Sequence, residues 1–152
     1  HIQFVKLLKE NIMSNTNFIG IDHNKAAELA EHLNELLCNY QLFYINTRGF
    51  HWNIKGEKFF ELHLKFEELY NNLILKIDEI AERILTLGYT PLHSFSSYIK
   101  GSKIGEAQDI SDGFKAVENI LNSFKIIIEK QRLLLNLSAQ ADDEGTNALM
   151  SD

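Results

Sequence analysis

The stretch Phe50–Gly88, FHWNIKGEKFFELHLKFEELYNNLILKIDEIAERILTLG, decides how the rest of the chain is read. Each residue of an α-helix turns by ~100°, so with His63 at 0° Glu67 falls near ~40°, Asp78 near ~60° and Glu82 near ~100°. All four share one arc of one helix. Leu62, Phe66, Leu69, Leu73, Ile77, Ile80, Ile84 and Leu87 form a separate stripe near ~−80°, the face that a helical bundle buries. Glu61, Lys65, Glu68, Asn72, Lys76, Glu79 and Arg83 gather near ~180° and read as solvated. Phe60, Tyr70, Ile74, Ala81 and Leu85 are interleaved with the ligand-type residues on the first arc. Carboxylates set among apolar residues predict burial, and a buried carboxylate needs a partner. A metal ion is one such partner, and His51 lies just upstream as a fifth candidate ligand.

Distance constrains how these residues combine. His63 and Asp78 are separated by about 22 Å along a helix rising ~1.5 Å per residue, so one chain cannot bring both pairs to one metal. Two copies of the helix packed antiparallel about a two-fold near residues 72–73 solve this. His63 and Glu67 of one chain then meet Asp78 and Glu82 of the partner subunit, twice per dimer. The apolar residues of the ligand arc become the expected dimer interface. A self-contained di-iron bundle carries Glu-x-x-His on two helices. None of the six histidines has Glu three residues before it, which favours the shared arrangement. Imidazole mixed with carboxylate suits Fe(II), and also Mn or catalytic Zn.

At this point the residues carry a resemblance. His51-Trp52-Asn53-Ile54-Lys55-Gly56 with Leu62-His63 and Glu67 form one block. Ile77-Asp78-Glu79-Ile80-Ala81-Glu82-Arg83 with Leu87-Gly88 and Pro91 form the second, and Asp143-Glu144-Gly145-Thr146 adds a weaker third. The chain resembles the Dps family, the miniferritins named as DNA-binding proteins from starved cells. The resemblance implies a ferritin-like four-helix bundle and a ferroxidase centre shared across a dimer two-fold. It implies a hollow dodecamer that oxidises Fe(II), preferentially with hydrogen peroxide, and stores the ferric product. It places up to two irons among His51, His63, Glu67, Asp78 and Glu82, with Trp52 and Tyr70 beside them as candidates for intercepting radicals. Asp78 and Glu82 are expected to be the strongest anionic ligands and His51 the leading nitrogen donor. Position 67 departs from the pattern, since the family more often has Asp there than Glu.

Composition fits one all-α domain. The chain has 152 residues, 45% hydrophobic and 24% charged, with a single Pro to interrupt helices. Cys38 alone cannot form an internal disulfide, which fits a reducing compartment, and its apolar surroundings predict a buried thiol. No apolar run approaches the ~20 residues of a membrane span, and no secretory signal is visible. The expected location is the cytoplasm. A net charge of −6 argues against a surface that seeks nucleic acid generally. Some members of the resembled family bind DNA through a lysine-rich N-terminal arm. Here Lys6 and Lys9 alone precede Met13, and no Lys or Arg lies between Met13 and Lys25. Weak DNA binding is therefore the expectation, and a DNA-compacting architectural protein with a secondary metal site is the alternative function.

Residues 1–21 read as an N-terminal tail and 22–152 as the bundle. Met13-Ser14-Asn15 reads as a natural start, with residues 1–12 as an upstream or cloning-derived extension. The first long helix is expected over about 24–52, capped by Asp22 or Asn24, with Ala26, Leu29, Ala30, Leu33, Leu37, Tyr40 and Tyr44 inward. Gly49 is expected to allow close packing beside His51. The second runs over about 57–87 and stops at Gly88 before Pro91. Residues 88–110 are long for a bundle connection and can return along the whole bundle, the ferritin-like crossover. A short helix is expected within them around His93–Tyr98. Ser111 is expected to cap a third long helix, about 112–139, with Phe114, Val117, Leu121, Phe124, Ile128 and Leu135 inward. A last, short helix starts near Asp142 or Asp143, and these two acids are candidates for an iron-entry pore.

Overall fold

The computed structural model describes residues 15–152, and the expectations about the extension and Met13 lie outside them. Among the described residues the chain is all-helical: α1 (His23–Asn53), α2 (Phe59–Thr86), α3 (Phe95–Gly101), α4 (Gly113–Gln140) and α5 (Glu144–Ser151). This is a ferritin-like bundle with a short extra helix in a long crossover.

Local chemistry sets each boundary. The Asp22 carboxylate accepts from Asn24 N and Lys25 N and starts α1. Residues 54–58 then turn the chain through Gly56 at φ 103°, and α2 begins two residues later than the sequence predicts. It ends in a Schellman motif: Gly88, at φ 91°, donates to Leu85 O, and Tyr89 donates to Ile84 O. The short connection makes α1 and α2 antiparallel neighbours. Lys55 N donates to Ser111 O at one end of the bundle, and Lys25 Nζ to Gln140 O at the other. These bonds set α4 antiparallel to α1 and parallel to α2.

Three asparagines on α1 hold the crossover. Asn34 Oδ1 accepts from Leu92 N. Asn39 Oδ1 accepts from Ser102 Oγ, Lys103 N and Ile104 N, while its amide donates to Glu35 O. Asn46 donates to Gly105 O and accepts from Ala107 N. The buried amides of Asn39 and Asn46, with half-buried Asn34, thus satisfy loop backbone that no helix or sheet ladder serves. The short helix α3, capped by Ser94, lies so close to α1 that a Cβ at Gly101 would come within 2.7 Å of the Cys38 sulfur. Cys38 is buried, as expected.

The core takes in the expected stripe on α2, with Phe66, Leu73, Ile80 and Ile84 at its centre, and most of that on α1, where Leu36, Leu42, Phe43 and Phe50 are buried in addition and Tyr44 is only half-buried. On α4 the expectation fails. Ala116, Ile120, Ser123, Ile127, Leu134 and Ser138 face inward, while Phe114, Val117, Leu121, Phe124 and Ile128 are exposed, with Leu135 half-buried. The two stripes lie ~110° apart on the helix. Ala and Ser on the inner stripe let α4 approach α1 closely, and that seam decides which face turns in. The larger stripe borders the groove between α2 and α4. Three smaller corrections follow. Asp112, which accepts from Lys115 N, caps α4 in place of Ser111. A Cβ at Gly49 would meet nothing, so no close packing requires that glycine. Asp143 is buried against Arg83 and Thr146 as the α5 cap, which removes it from any pore.

Candidate metal centre

The end of α1 and the start of α2 carry the two histidines. His51 Nδ1 bonds the carbonyl of His63 at 2.8 Å, and His63 Nδ1 bonds the carbonyl of His51 at 2.8 Å. The His51 carbonyl is free for this because it lies in the last turn of α1, where helix carbonyls lack an intrahelical donor. Lys55 N, the donor that a continuing helix would supply, goes to Ser111 O. A carbonyl oxygen can only accept, so each Nδ1 carries the proton. In its neutral form each ring then presents a bare Nε2 lone pair, the form that ligates metals.

Packing fixes both rings. They stack with centroids 3.8 Å apart at 22°. Phe59 stacks on His63 at 5.1 Å, and Tyr70 meets His51 edge-on at 5.3 Å. His51 is buried and His63 half-buried. Glu67 follows one turn after His63. Single ligand atoms of His51, His63 and Glu67 all lie within 4.8 Å of one another, the one such group among the described residues.

Asp78 and Glu82 are not part of that group. They lie further along α2 with their carboxylates exposed, and among the described residues neither side chain has a hydrogen-bond or ion-pair partner. The helix face that they share with His63 and Glu67 is bare and apolar along its length: Phe60 is 79% exposed, Leu64 58%, Ile74 46%, Leu75 62% and Leu85 59%. Leu64 and Leu75 were not among the expected interface residues, although the same wheel places them at ~100° and ~120°. Tyr70 and Ala81 are half-buried.

Trp52 is exposed and lies over the Arg48 guanidinium at 5.0 Å. The same guanidinium faces Tyr44 at 5.8 Å and Tyr70 at 5.6 Å, and Arg48 donates to the Tyr44 hydroxyl. Tyr70 is thus the ring between His51 and this cation, and Trp52 is further out. Sequence reading missed Arg48. The signal was the i,i+4 spacing of Tyr44, Arg48 and Trp52, which puts all three on one face of α1.

The fold is that of a ferritin-like protein, and residues 30–152 match the ferritin-like domain family. A Dps protein of Vibrio cholerae O1, one of a broad superfamily of ferritin-like diiron-carboxylate proteins, superposes with TM-score 0.89 at 54% identity, over 91% of this chain and 87% of that one. An uncharacterized Haemophilus influenzae protein is 51% identical over 92% of this chain and 87% of its own length. The DNA protection during starvation protein of Porphyromonas gingivalis is 39% identical over 86% of this chain and 82% of its own. The chain belongs to the Dps family. Among the described residues no helix is long and apolar enough to cross a membrane.

Proposed function

We propose that this protein is a ferroxidase. Its substrate is Fe(II), its preferred oxidant hydrogen peroxide, and its centre is shared between two copies related by a two-fold in a dodecameric shell that stores the ferric product. The supporting observation is the division of ligands. One chain preassembles His51, His63 and Glu67 and leaves Asp78 and Glu82 bare on an exposed apolar face about 22 Å along the helix. A covered face of that kind is what an isologous dimer supplies.

Charge supports the same reading. The three-residue half offers a single carboxylate, too little anionic charge for two Fe(II). Adding Asp78 and Glu82 of the partner subunit brings the carboxylates to three. Mixed imidazole and carboxylate donors with open positions suit Fe(II). The chain's part is to hold two Fe(II) close together so that each gives up one electron to the same peroxide. The O–O bond breaks, two protons are taken up, and two waters leave without release of hydroxyl radical. Trp52 and Tyr70 stand where a stray oxidising equivalent would meet an aromatic ring first.

Several relatives are named for DNA protection during starvation. On the present reading such protection comes from removing Fe(II) and peroxide together, with direct DNA binding weak. The test is peroxide-driven Fe(II) oxidation at low iron loading, with assembly of each variant checked first. Glu82→Gln should lose nearly all of the initial rate, because the acidic half consists of two carboxylates alone. Glu67→Gln should retain much of it, because His51 and His63 remain in place. Equal, wild-type rates in both variants would remove the centre from this face.

A further inference from the structure

The two halves of the proposed centre are held in different ways. His51 and His63 are locked by reciprocal hydrogen bonds and ring stacking. Among the described residues, the side chains of Asp78 and Glu82 have no partner. Their placement therefore depends on the backbone of α2 between residues 76 and 83. That segment is tied from behind at both ends by α5. Arg83 pairs with Asp143 at the start of α5, and Lys76 pairs with Asp152 at its end, 2.8 Å away. On the helical wheel Lys76 and Arg83 sit ~130° round from the two acids, so the ties leave the ligand face free.

The Arg83 tie is the built one. Asp143 is 3% exposed and Thr146 is fully buried. The Asp143 carboxylate caps α5 by accepting from Thr146 N at 3.0 Å, and it also accepts from the Thr146 hydroxyl and from Arg83. Arg83 Nε donates to Thr146 Oγ1 at 2.9 Å. The guanidinium lies flat over the first turn of α5 because residue 145 is Gly: a Cβ there would stand 2.6 Å from the Arg83 terminal nitrogen. Only the planar fork of Arg reaches both acceptors at once.

We propose that Arg83, held by Asp143, Thr146 and the bare backbone of Gly145, is a positioning residue for the acidic half of the iron centre. It fixes the rotation of the α2 turn from which Asp78 and Glu82 project toward the partner's histidines. The proposal rests on the ferroxidase reading above. Lys76 is half-buried but its partner Asp152 is exposed, a pair open to solvent screening that contributes little, and the two serve as the internal control.

The experiment is an anaerobic Co(II) titration of the assembled protein, read by visible absorption well below its melting temperature. Arg83→Lys and Gly145→Ala each displace the guanidinium contact. Asp143→Asn keeps the helix cap and removes the charge, and it carries the test if another variant fails to assemble. Each variant is made on the wild-type background and on an Asp78→Asn/Glu82→Gln background. Outer-sphere substitutions of this type cost about 10–100-fold in metal affinity, and that loss is expected on the wild-type background. On the background without the two carboxylates the same variants should change affinity by less than about twofold, because nothing is left to position. Lys76→Gln should change it little on either background. Equal losses on both backgrounds would make Arg83 merely structural and overturn the proposal, as would no loss on the wild-type background. If Asp78→Asn/Glu82→Gln alone binds Co(II) like wild type, the shared centre itself is wrong, and the positioning role falls with it.

Discussion

Mixing two inactive variants tests the division of ligands between chains. His51→Ala/His63→Ala subunits keep Asp78 and Glu82. Asp78→Ala/Glu82→Ala subunits keep the histidine clamp. Each homodimer has no complete centre. A heterodimer has one, formed by the histidines of the second variant and the acids of the first, and its other centre lacks every ligand but Glu67. For random pairing at mole fraction x, the intact share of all centres is about x(1 − x), so equal mixing restores about one quarter of the wild-type initial rate. The dependence on composition is a parabola that vanishes at both ends. The two variants would be co-refolded or co-expressed at several ratios, and oxidation of Fe(II) by peroxide followed at low loading. The magnitude rests on the ~22 Å separation of the ligand pairs along α2, which no side chain spans. Zero activity at every ratio would refute the shared centre, and so would appreciable activity in either pure variant.

A pH effect is expected from the α1–α4 seam. His32 Nδ1 accepts from Lys130 Nζ at 2.8 Å, and Lys130 also pairs with Glu35. Burial first, then the Lys130 charge, lower the His32 pKa against the opposing pull of Glu28 and Glu31. A base with a depressed folded pKa contributes stability above its unfolded value and loses it as pH falls from about 6.5 toward the folded value. Urea unfolding should therefore show falling stability as pH drops below about 6.5, with a shallower slope in His32→Gln; an unchanged slope would exclude His32 as the source. Asn39→Leu leaves the Lys103 amide without its acceptor, while Ile104 N keeps the Ser102 hydroxyl, a loss of about 1–3 kcal/mol. The same unfolding assay checks it, and a midpoint equal to wild type would mean that the crossover is held otherwise. A gel shift at about 0.15 M salt without divalent cations should leave DNA free, since phosphate affinity follows the number of neutralising cations. Tight retention there would revive the architectural alternative.

The apolar stripe of α2 was legible because that helix has one dominant buried face, whereas α1 is buried all round from Leu36 to Tyr40 and its stripe named only part of the core. Asp22, Gly88 and Pro91 marked boundaries through backbone chemistry that acts within a few residues. On α4 the same reasoning failed, since Phe114, Leu121 and Ile128 form a stripe as regular as the one that is buried. Periodicity reports which residues share a face; it does not report which of two apolar faces a neighbour takes. The small residues Ala116, Ser123 and Ser138 held that information, but only in relation to α1. The buried asparagines were illegible for a related reason. An Asn within a helix reads as a surface residue until the loop backbone that it serves is located. At the candidate centre, spacing put Glu67, Asp78 and Glu82 on one arc with His63. It could not reveal that His51 and His63 fix each other's tautomers, because that bond joins two segments through their carbonyls.

The asymmetry between the two halves bears on when the proposed chemistry becomes available. The histidine half is ordered within one chain by contacts formed as α1 and α2 pack. The acidic half is ordered only as far as α2 and α5 fix its backbone, and on the shared-centre reading its carboxylates would find their partners in a second copy. An isolated subunit therefore presents one carboxylate and two imidazoles to Fe(II), with exposed apolar surface around its acids. Docking would bury that apolar surface and complete the charge in one step, so the event that stabilises the dimer also creates the centre. A centre that can accept two Fe(II) only after docking restricts peroxide reduction to assembled protein. On the ferroxidase reading both electrons would leave together there, and the ferric product would form inside the proposed shell.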